Sequence, residues 1–163
     1  MPLSIRLLAD ADLARANAIL QSAFQRSESW LTDLQLFDKL QPDGVCLACQ
    51  HEIPLGMVAA IKYPTFAYVG LMGVHQESQR QGVGLALMQH ILAWLDQEGV
   101  HQVLLDASPL GQPLYEKLGF VARDDVPAER DAFAVAGGQR GRNAGRGLPF
   151  RLGRLSRSRR VRG

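Results

Sequence analysis

The residues with the clearest chemical promise are Gln79-Arg80-Gln81-Gly82-Val83-Gly84. They follow an apolar run (Val69, Leu71, Met72, Val74) and a polar cluster, His75-Gln76-Glu77-Ser78. They precede a helical period in which Gly84, Met88, Ile91 and Leu95 are spaced 4, 3 and 4. That order is a strand, a glycine turn and a helix N-terminus, where unpaired N–H groups and summed peptide dipoles amount to roughly half a positive charge. Glycine has no Cβ, so the main chain can come close to a phosphate oxygen, and Arg80 adds a full charge. The expected chemistry is capture of a phosphorylated ligand. A nucleoside-triphosphate loop would need Lys-Ser or Lys-Thr after its second glycine, and none follows here. The dinucleotide fingerprint would need a further glycine where Leu87 stands. What remains is Gln-x-x-Gly-x-Gly. The same six residues would also suit a loop that merely turns a strand into a helix.

The elements that must hold this turn follow from periodicity. Leu3 to Leu8 reads as a first strand. Asp10 or Asp12 can cap a helix with the stripe Leu13, Ala16, Leu20 and Phe24. A second helix carries Trp30, Leu34 and Phe37 and ends before Pro42-Asp43-Gly44. Val45–Gln50, Leu55–Tyr63 and Phe66–Val74 then read as an antiparallel meander, because their links are too short for crossover helices. After the glycine turn a helix runs from about Gly82 to Gln97 and stops at Gly99. Val103-Leu104-Leu105-Asp106 is a strand parallel to the one before the turn. A short helix from about Gly111 to Leu118 leads into a strand at Phe120-Val121-Ala122. Hairpins followed by a βαβ unit predict an α/β fold: one mixed sheet with helices on both faces. Where one strand has antiparallel neighbours on one side and a parallel one on the other, the parallel pair can splay into a cleft beside the turn.

A second segment, Pro113-Leu114-Tyr115-Glu116-Lys117-Leu118-Gly119-Phe120, lies some thirty residues beyond the glycines. Together with Gln79, Gly82 and Gly84 it resembles the paired signatures of the GNAT superfamily of acyl-CoA-dependent N-acyltransferases, over about residues 3 to 125. The resemblance implies a GNAT-like fold whose splayed strands form an acyl-CoA cleft, with acetyl-CoA as cosubstrate and no metal. It implies that Gln79, Arg80, Gln81, Gly82, Val83, Gly84 and Leu85 hold the CoA pyrophosphate. Met72, Gly73 and Val74 would pair with the pantetheine arm, and an N–H near Val74 would polarise the thioester carbonyl. Ser108 would stand where many members have an asparagine that contacts CoA, and Gln76 where a proline is frequent. Tyr115 would protonate the departing thiolate, a step that eases its departure; a core aromatic whose hydroxyl caps a helix is the plainer reading. The amine would attack the acetyl carbonyl directly. The strand Phe66–Val74 contains no acid. Glu77, Asp106 and His75 are candidates for a base, each with an ordinary structural reading, and no base is assigned.

Composition bounds the rest. At 163 residues with 47% hydrophobic side chains, one domain with a single core is expected. No apolar run approaches the ~20 residues that span a bilayer, and the N-terminus has no basic region leading into an apolar one. A cytoplasmic protein with no membrane partner is the expectation. The net charge of +2 conceals two opposed parts: residues 1–131 carry nine Lys/Arg and sixteen Asp/Glu, a balance of −7, whereas residues 132–163 carry nine Arg and no acid. Residues 1–136 are read as the acyltransferase domain, with Asp131–Ala136 as a last edge strand. Residues 137–163 are read as a disordered Arg/Gly-rich tail, too poor in apolar residues to offset ordering entropy. That tail could meet nucleic-acid phosphates or fold back onto the acidic body; an incidental tail is preferred. Cys46 and Cys49 sit three apart in a strand, so they face opposite ways, and buried thiols rather than a metal or redox pair are expected. The acceptor would be a primary amine of a small molecule or protein, with Trp30, Phe37 and Tyr63 as pocket walls. The chain would work as a monomer or homodimer. The alternative class is a non-catalytic acyl-CoA-binding or nucleic-acid-associated module.

Overall fold

Apolar periodicity sets the elements, and their burial shows which faces they cover. The computed structural model describes residues 2–122 and 153–158. In chain order these form β1 (Ser4–Leu7), α1 (Leu13–Phe24), α2 (Leu31–Leu40), β2 (Val45–Gln50), β3 (Ile53–Lys62), β4 (Ala67–Val74), α3 (Val83–Gln97), β5 (Gln102–Ala107), α4 (Gln112–Lys117), β6 (Val121–Ala122) and β7 (Gly153–Ser158). The strands make one mixed sheet in the order β1-β2-β3-β4-β5-β7-β6. Only β4 and β5 run parallel among the described pairs.

The core is two-layered. On one face α3 buries Val83, Leu87, Met88, Ile91, Leu92 and Leu95 against Cys46, Ala48, Val58, Ala60, Val69 and Leu105. On the other, Ala16, Ile19 and Leu20 of α1 and Leu34 and Phe37 of α2 cover Val45, Leu47, Met57, Ala59 and Leu71. At about 1.5–3 kcal/mol for each large side chain fully withdrawn from water, these two layers are the main favourable term. β2 is buried at nearly every position because both its faces are covered. In β5 burial alternates: Val103, Leu105 and Ala107 are enclosed, whereas Gln102, Leu104 and Asp106 are only half-buried. The face that α1 and α2 cover at β2–β4 is therefore more open at β5.

The sheet splits where the sequence predicts a cleft. β4 and β5 pair at Ala67↔Val103, Tyr68↔Leu104 and Val69↔Leu105, and no further. β4 then bulges: Ala60 faces Val69 and Ala59 faces Leu71, so Gly70 is the extra residue. Only glycine fits there, because a Cβ would lie 2.2 Å from Cζ of Phe37. Beyond the bulge β4 continues to Val74 paired with β3 alone.

One expectation is corrected. Gly153–Ser158, assigned to a disordered tail outside a domain ending at residue 136, is a strand of the sheet. It pairs antiparallel with β5 from Gln102↔Ser158 to Ala107↔Gly153, and with β6 at Val121↔Ser156 and Ala122↔Leu155. Main-chain groups make both ladders, so a polar, arginine-bearing segment can occupy the place without an apolar pattern to announce it. Ser156, 1% exposed, is a polar side chain inside the domain. The predicted edge strand at 131–136 and the remainder of the tail lie outside the described residues.

Candidate active site

The turn between β4 and α3 is tied down by its own glutamines. Gln79 donates from Nε2 to the Val74 carbonyl (3.1 Å), and Gln81 from Nε2 to the Glu77 carbonyl (2.9 Å). Arg80 and Gly82 both take left-handed backbone, φ 59° and 82°. At Gly82 a Cβ would meet nothing within 4 Å, so conformation rather than crowding calls for glycine. The first helical bond is Ala86 N–H to the Gly82 carbonyl at 3.0 Å, and no side chain caps the helix. The N–H groups of residues 80–85 consequently have no acceptor among the described residues. Six consecutive amides at a helix N-terminus, with the Arg80 side chain exposed beside them, form a ready anion cradle.

Both sequence signatures meet at this cradle. A Cβ on Gly84 would lie 3.1 Å from Cε of Met72, 3.3 Å from Cδ2 of Leu114 and 3.7 Å from Cγ2 of Val74. The start of α3, the end of β4 and the Leu-Tyr segment of α4 thus converge on one small residue. Next to Leu114, Tyr115 is buried, edge-on to Phe120 with ring centroids 5.9 Å apart. It packs on Gly111, where a Cβ would sit 3.1 Å from the Tyr115 ring. Its hydroxyl makes no hydrogen bond among the described residues. Burial pushes its pKa up to about 12. Ser108 accepts the Gly111 N–H at Oγ (3.2 Å), so it shapes the loop beneath Tyr115 while keeping a proton to donate.

The candidate bases separate. Glu77 is exposed in the turn, and His75 is half-buried, with its N–H donated to the Leu55 carbonyl at 2.9 Å. Asp106 accepts a hydrogen bond at Oδ2 from the Tyr68 hydroxyl, 2.9 Å, across the two parallel strands. Tyr68 was not singled out from sequence; its partner lies 38 residues away on another strand. The signal that could have found it is a tyrosine at a half-buried β4 position level with β5.

The suggested pocket walls belong to one core layer, Phe37 within it and Trp30 and Tyr63 packed against it. Phe37 is core, with its ring over Gly70. Trp30 packs on Phe24 at 5.2 Å, with its indole Nε1 enclosed and without a hydrogen-bond partner among the described residues. Tyr63 stacks on Phe66 in the β3–β4 turn, at the opposite end of β4 from the glycines. Cys46 and Cys49 are free, buried, and in different core layers. Among the described residues no cluster of three or more His, Cys, Asp or Glu could hold a metal ion, and no helix is long and apolar enough to cross a membrane.

Known proteins are consistent with this arrangement. The profile of the Acetyltransferase (GNAT) family matches residues 13–120. A provisionally assigned acetyltransferase from Pyrococcus horikoshii is 30% identical with a TM-score of 0.70, covering 74% of this chain; the chain spans 44% of that protein. The ribosomal-protein-S18-alanine N-acetyltransferase of Escherichia coli superposes with a TM-score of 0.70 at 21% identity, over 99% of this chain and 97% of its own. PaiA N-acetyltransferase from Thermoplasma acidophilum, solved in complex with coenzyme A, gives 0.73 at 14% identity, over 98% and 100%. No curated protein matches the sequence. With its profile spanning well over half the sequence and both signatures converging on the amide cradle, the chain belongs to the GNAT acetyltransferase family.

Proposed function

We propose that this protein is an N-acetyltransferase that moves an acetyl group from acetyl-CoA to a primary amine of a small molecule or protein by direct attack. The observation that carries the reading is the row of amides at residues 80–85 with no internal acceptor. Any uncapped helix leaves its first four N–H groups unmet; here the amides of Arg80 and Gln81 extend that row to six beside an arginine side chain. These amides and Arg80 would hold a pyrophosphate. The β5-facing edge of Met72, Gly73 and Val74, without a strand partner, offers main-chain groups to an extended amide-bearing arm. An N–H of β4 near Val74 would polarise the reacting carbonyl. Ser108, through its remaining proton, would give a further contact. Acetyl-CoA supplies the acetyl group as a thioester. Tyr115, protonated across the neutral range as any tyrosine is and pushed higher still by burial, would pass its proton to the departing sulfur, as a weaker acid than an exposed tyrosine. The coenzyme A-bound neighbour has the same fold, and the alanine-acetylating neighbour illustrates an amine acceptor on it.

Calorimetric titration of the purified protein with coenzyme A tests this, followed by thiol release from acetyl-CoA across a panel of primary amines. Saturable heat and amine-dependent thiol release are expected. Absence of heat with coenzyme A would end the reading; heat without turnover by any amine would favour a non-catalytic binding module.

A further inference from the structure

In the site as proposed, acetyl-CoA has two anchors: the amides of residues 80–85 for its pyrophosphate and the free edge of Met72–Val74 for its pantetheine arm. Residues 75–79 set the spacing between them. Most of that stretch is one short 3-10 turn, Gln76–Ser78, closed by Ser78 N–H to the His75 carbonyl (2.8 Å) and Gln79 N–H to the Gln76 carbonyl (3.2 Å). Bonds inside so short a turn fix its shape but not its tilt on the end of β4. Two hydrogen bonds from elsewhere in the fold supply the tilt. His75 donates its N–H to the Leu55 carbonyl of β3 (2.9 Å), and Gln76 donates its N–H to Oγ of Ser22 on α1 (3.1 Å), 54 residues away in the chain.

α1 is itself well placed to serve as the fixed end. Leu20 and Ala23 pack on Gly73, where a Cβ would lie 3.1 Å from each. Gln21 donates from Nε2 to the Ser27 and Glu28 carbonyls, and Asn17 Oδ1 accepts the Trp30 N–H (2.7 Å), so the link to α2 is tied to the same helix. α1 thus meets the exit of β4 twice, by packing at Gly73 and by a polar bond at Gln76.

We propose that Ser22 is a positioning residue: through the Gln76 N–H it sets the register between the pyrophosphate cradle and the thioester at the end of β4. The inference rests on the acyltransferase reading and adds how the two anchors are kept in step. The amide row is local to its turn, so nucleotide capture does not need the tie. Alignment of the acetyl carbonyl with the N–H that polarises it does, because a displacement of about 1 Å can cost about 100-fold in rate. Gln76 is exposed, so water replaces either partner once the other is removed. Ser22 therefore acts on rate, not on stability or nucleotide affinity.

The test removes each end of the bond. Ser22→Ala deletes the acceptor and raises the helix propensity of α1. Gln76→Pro deletes the donor at a place that suits proline: it opens its turn, and His75 before it is extended, φ −51° and ψ 136°. With acetyl-CoA and ethanolamine, spermidine or triglycine, each variant should lower kcat about three- to tenfold, the scale of one neutral hydrogen bond. Thermal midpoints and the calorimetric affinity for coenzyme A should not change. The double variant should lose no more than the larger single loss, because both substitutions remove one interaction. Acetyl-CoA labelled with carbon-13 at the acetyl carbonyl reads the alignment without an amine. Its resonance should move downfield on binding to the wild type, with most of that shift lost in either variant, and it decides alone should none of the three amines be used. Unaltered kcat and carbonyl shift in both variants, losses that multiply in the double variant, or a coenzyme A affinity that falls as far as kcat would each overturn the assignment and leave the nucleotide site standing. A wild type that does not bind coenzyme A would remove the acyltransferase reading and this inference with it.

Discussion

On the α3 side of the sheet, the open donors are the six neighbouring amides of one turn, Arg80 to Leu85, and their geometry is a property of local backbone: two left-handed residues, one helix start, two glutamine ties. On the α1/α2 side, the Tyr68–Asp106 pair joins residues 38 apart, on strands with the whole of α3 between them in the chain. The first site can form as soon as its segment folds. The second exists only in the finished sheet. A change in the turn should therefore act on coenzyme A affinity with little effect elsewhere, whereas a change that loosens β5 should disturb stability.

The sharpest way to break this contrast is to remove residues 153–163. β5 and β6 both lose their shared partner, and we expect no cooperative thermal unfolding by circular dichroism, because a missing internal strand exceeds what a marginal reserve of about 5–15 kcal/mol tolerates. A truncated protein that melts like the full chain would show that β7 is dispensable. Next in size, Tyr115→Phe should lower kcat about 100-fold and leave the heat of coenzyme A binding unchanged. Gly84→Val comes third. Its methyl groups would press on Met72 and Leu114, an overpacking of about 1–3 kcal/mol, and coenzyme A affinity measured by calorimetry should fall about tenfold or more. The smallest effect is alkaline. Burial raises Cys46 from 9.0 to about 11 and Tyr115 from 10.0 to about 12. In each case the folded state holds its proton longer than the unfolded one, so this contribution is complete below pH 9 and declines as pH climbs through 9–12. In Tyr115→Phe the upper part of that decline should disappear from denaturation midpoints measured across the range.

What could be read from the chain follows the same division. The turn, α3 and the meander were legible because each is announced by near neighbours: Gly82 and Gly84 before a 3.6-residue period, Gly99 after it, short links between strands. The cleft was legible too, since a helix between β4 and β5 forces a parallel pair beside antiparallel ones. β7 was not. Gly-Arg-Leu-Ser-Arg-Ser has a single large apolar residue, and its place is decided by two flanking backbones that a one-dimensional pattern does not contain. Tyr68 escaped for a related reason, because its meaning depends on the level of β5 beside it. Gly70 left a faint trace: a glycine inside a strand often marks a bulge. Phe37, 1% exposed, belongs to the core rather than to a pocket surface, because an aromatic side chain reports apolar surroundings without saying which.

The order in which the strands are made has a consequence for biosynthesis. β7 inserts between β5 and β6 although about thirty residues separate it from β6 in the chain. Until it emerges, the outer edge of β5 has no β7 to take its peptide donors and acceptors. Bare edges of that kind recruit whatever extended peptide is near. During translation this protein passes through an interval in which nascent copies can pair with one another, and slower elongation through that intervening stretch would lengthen it.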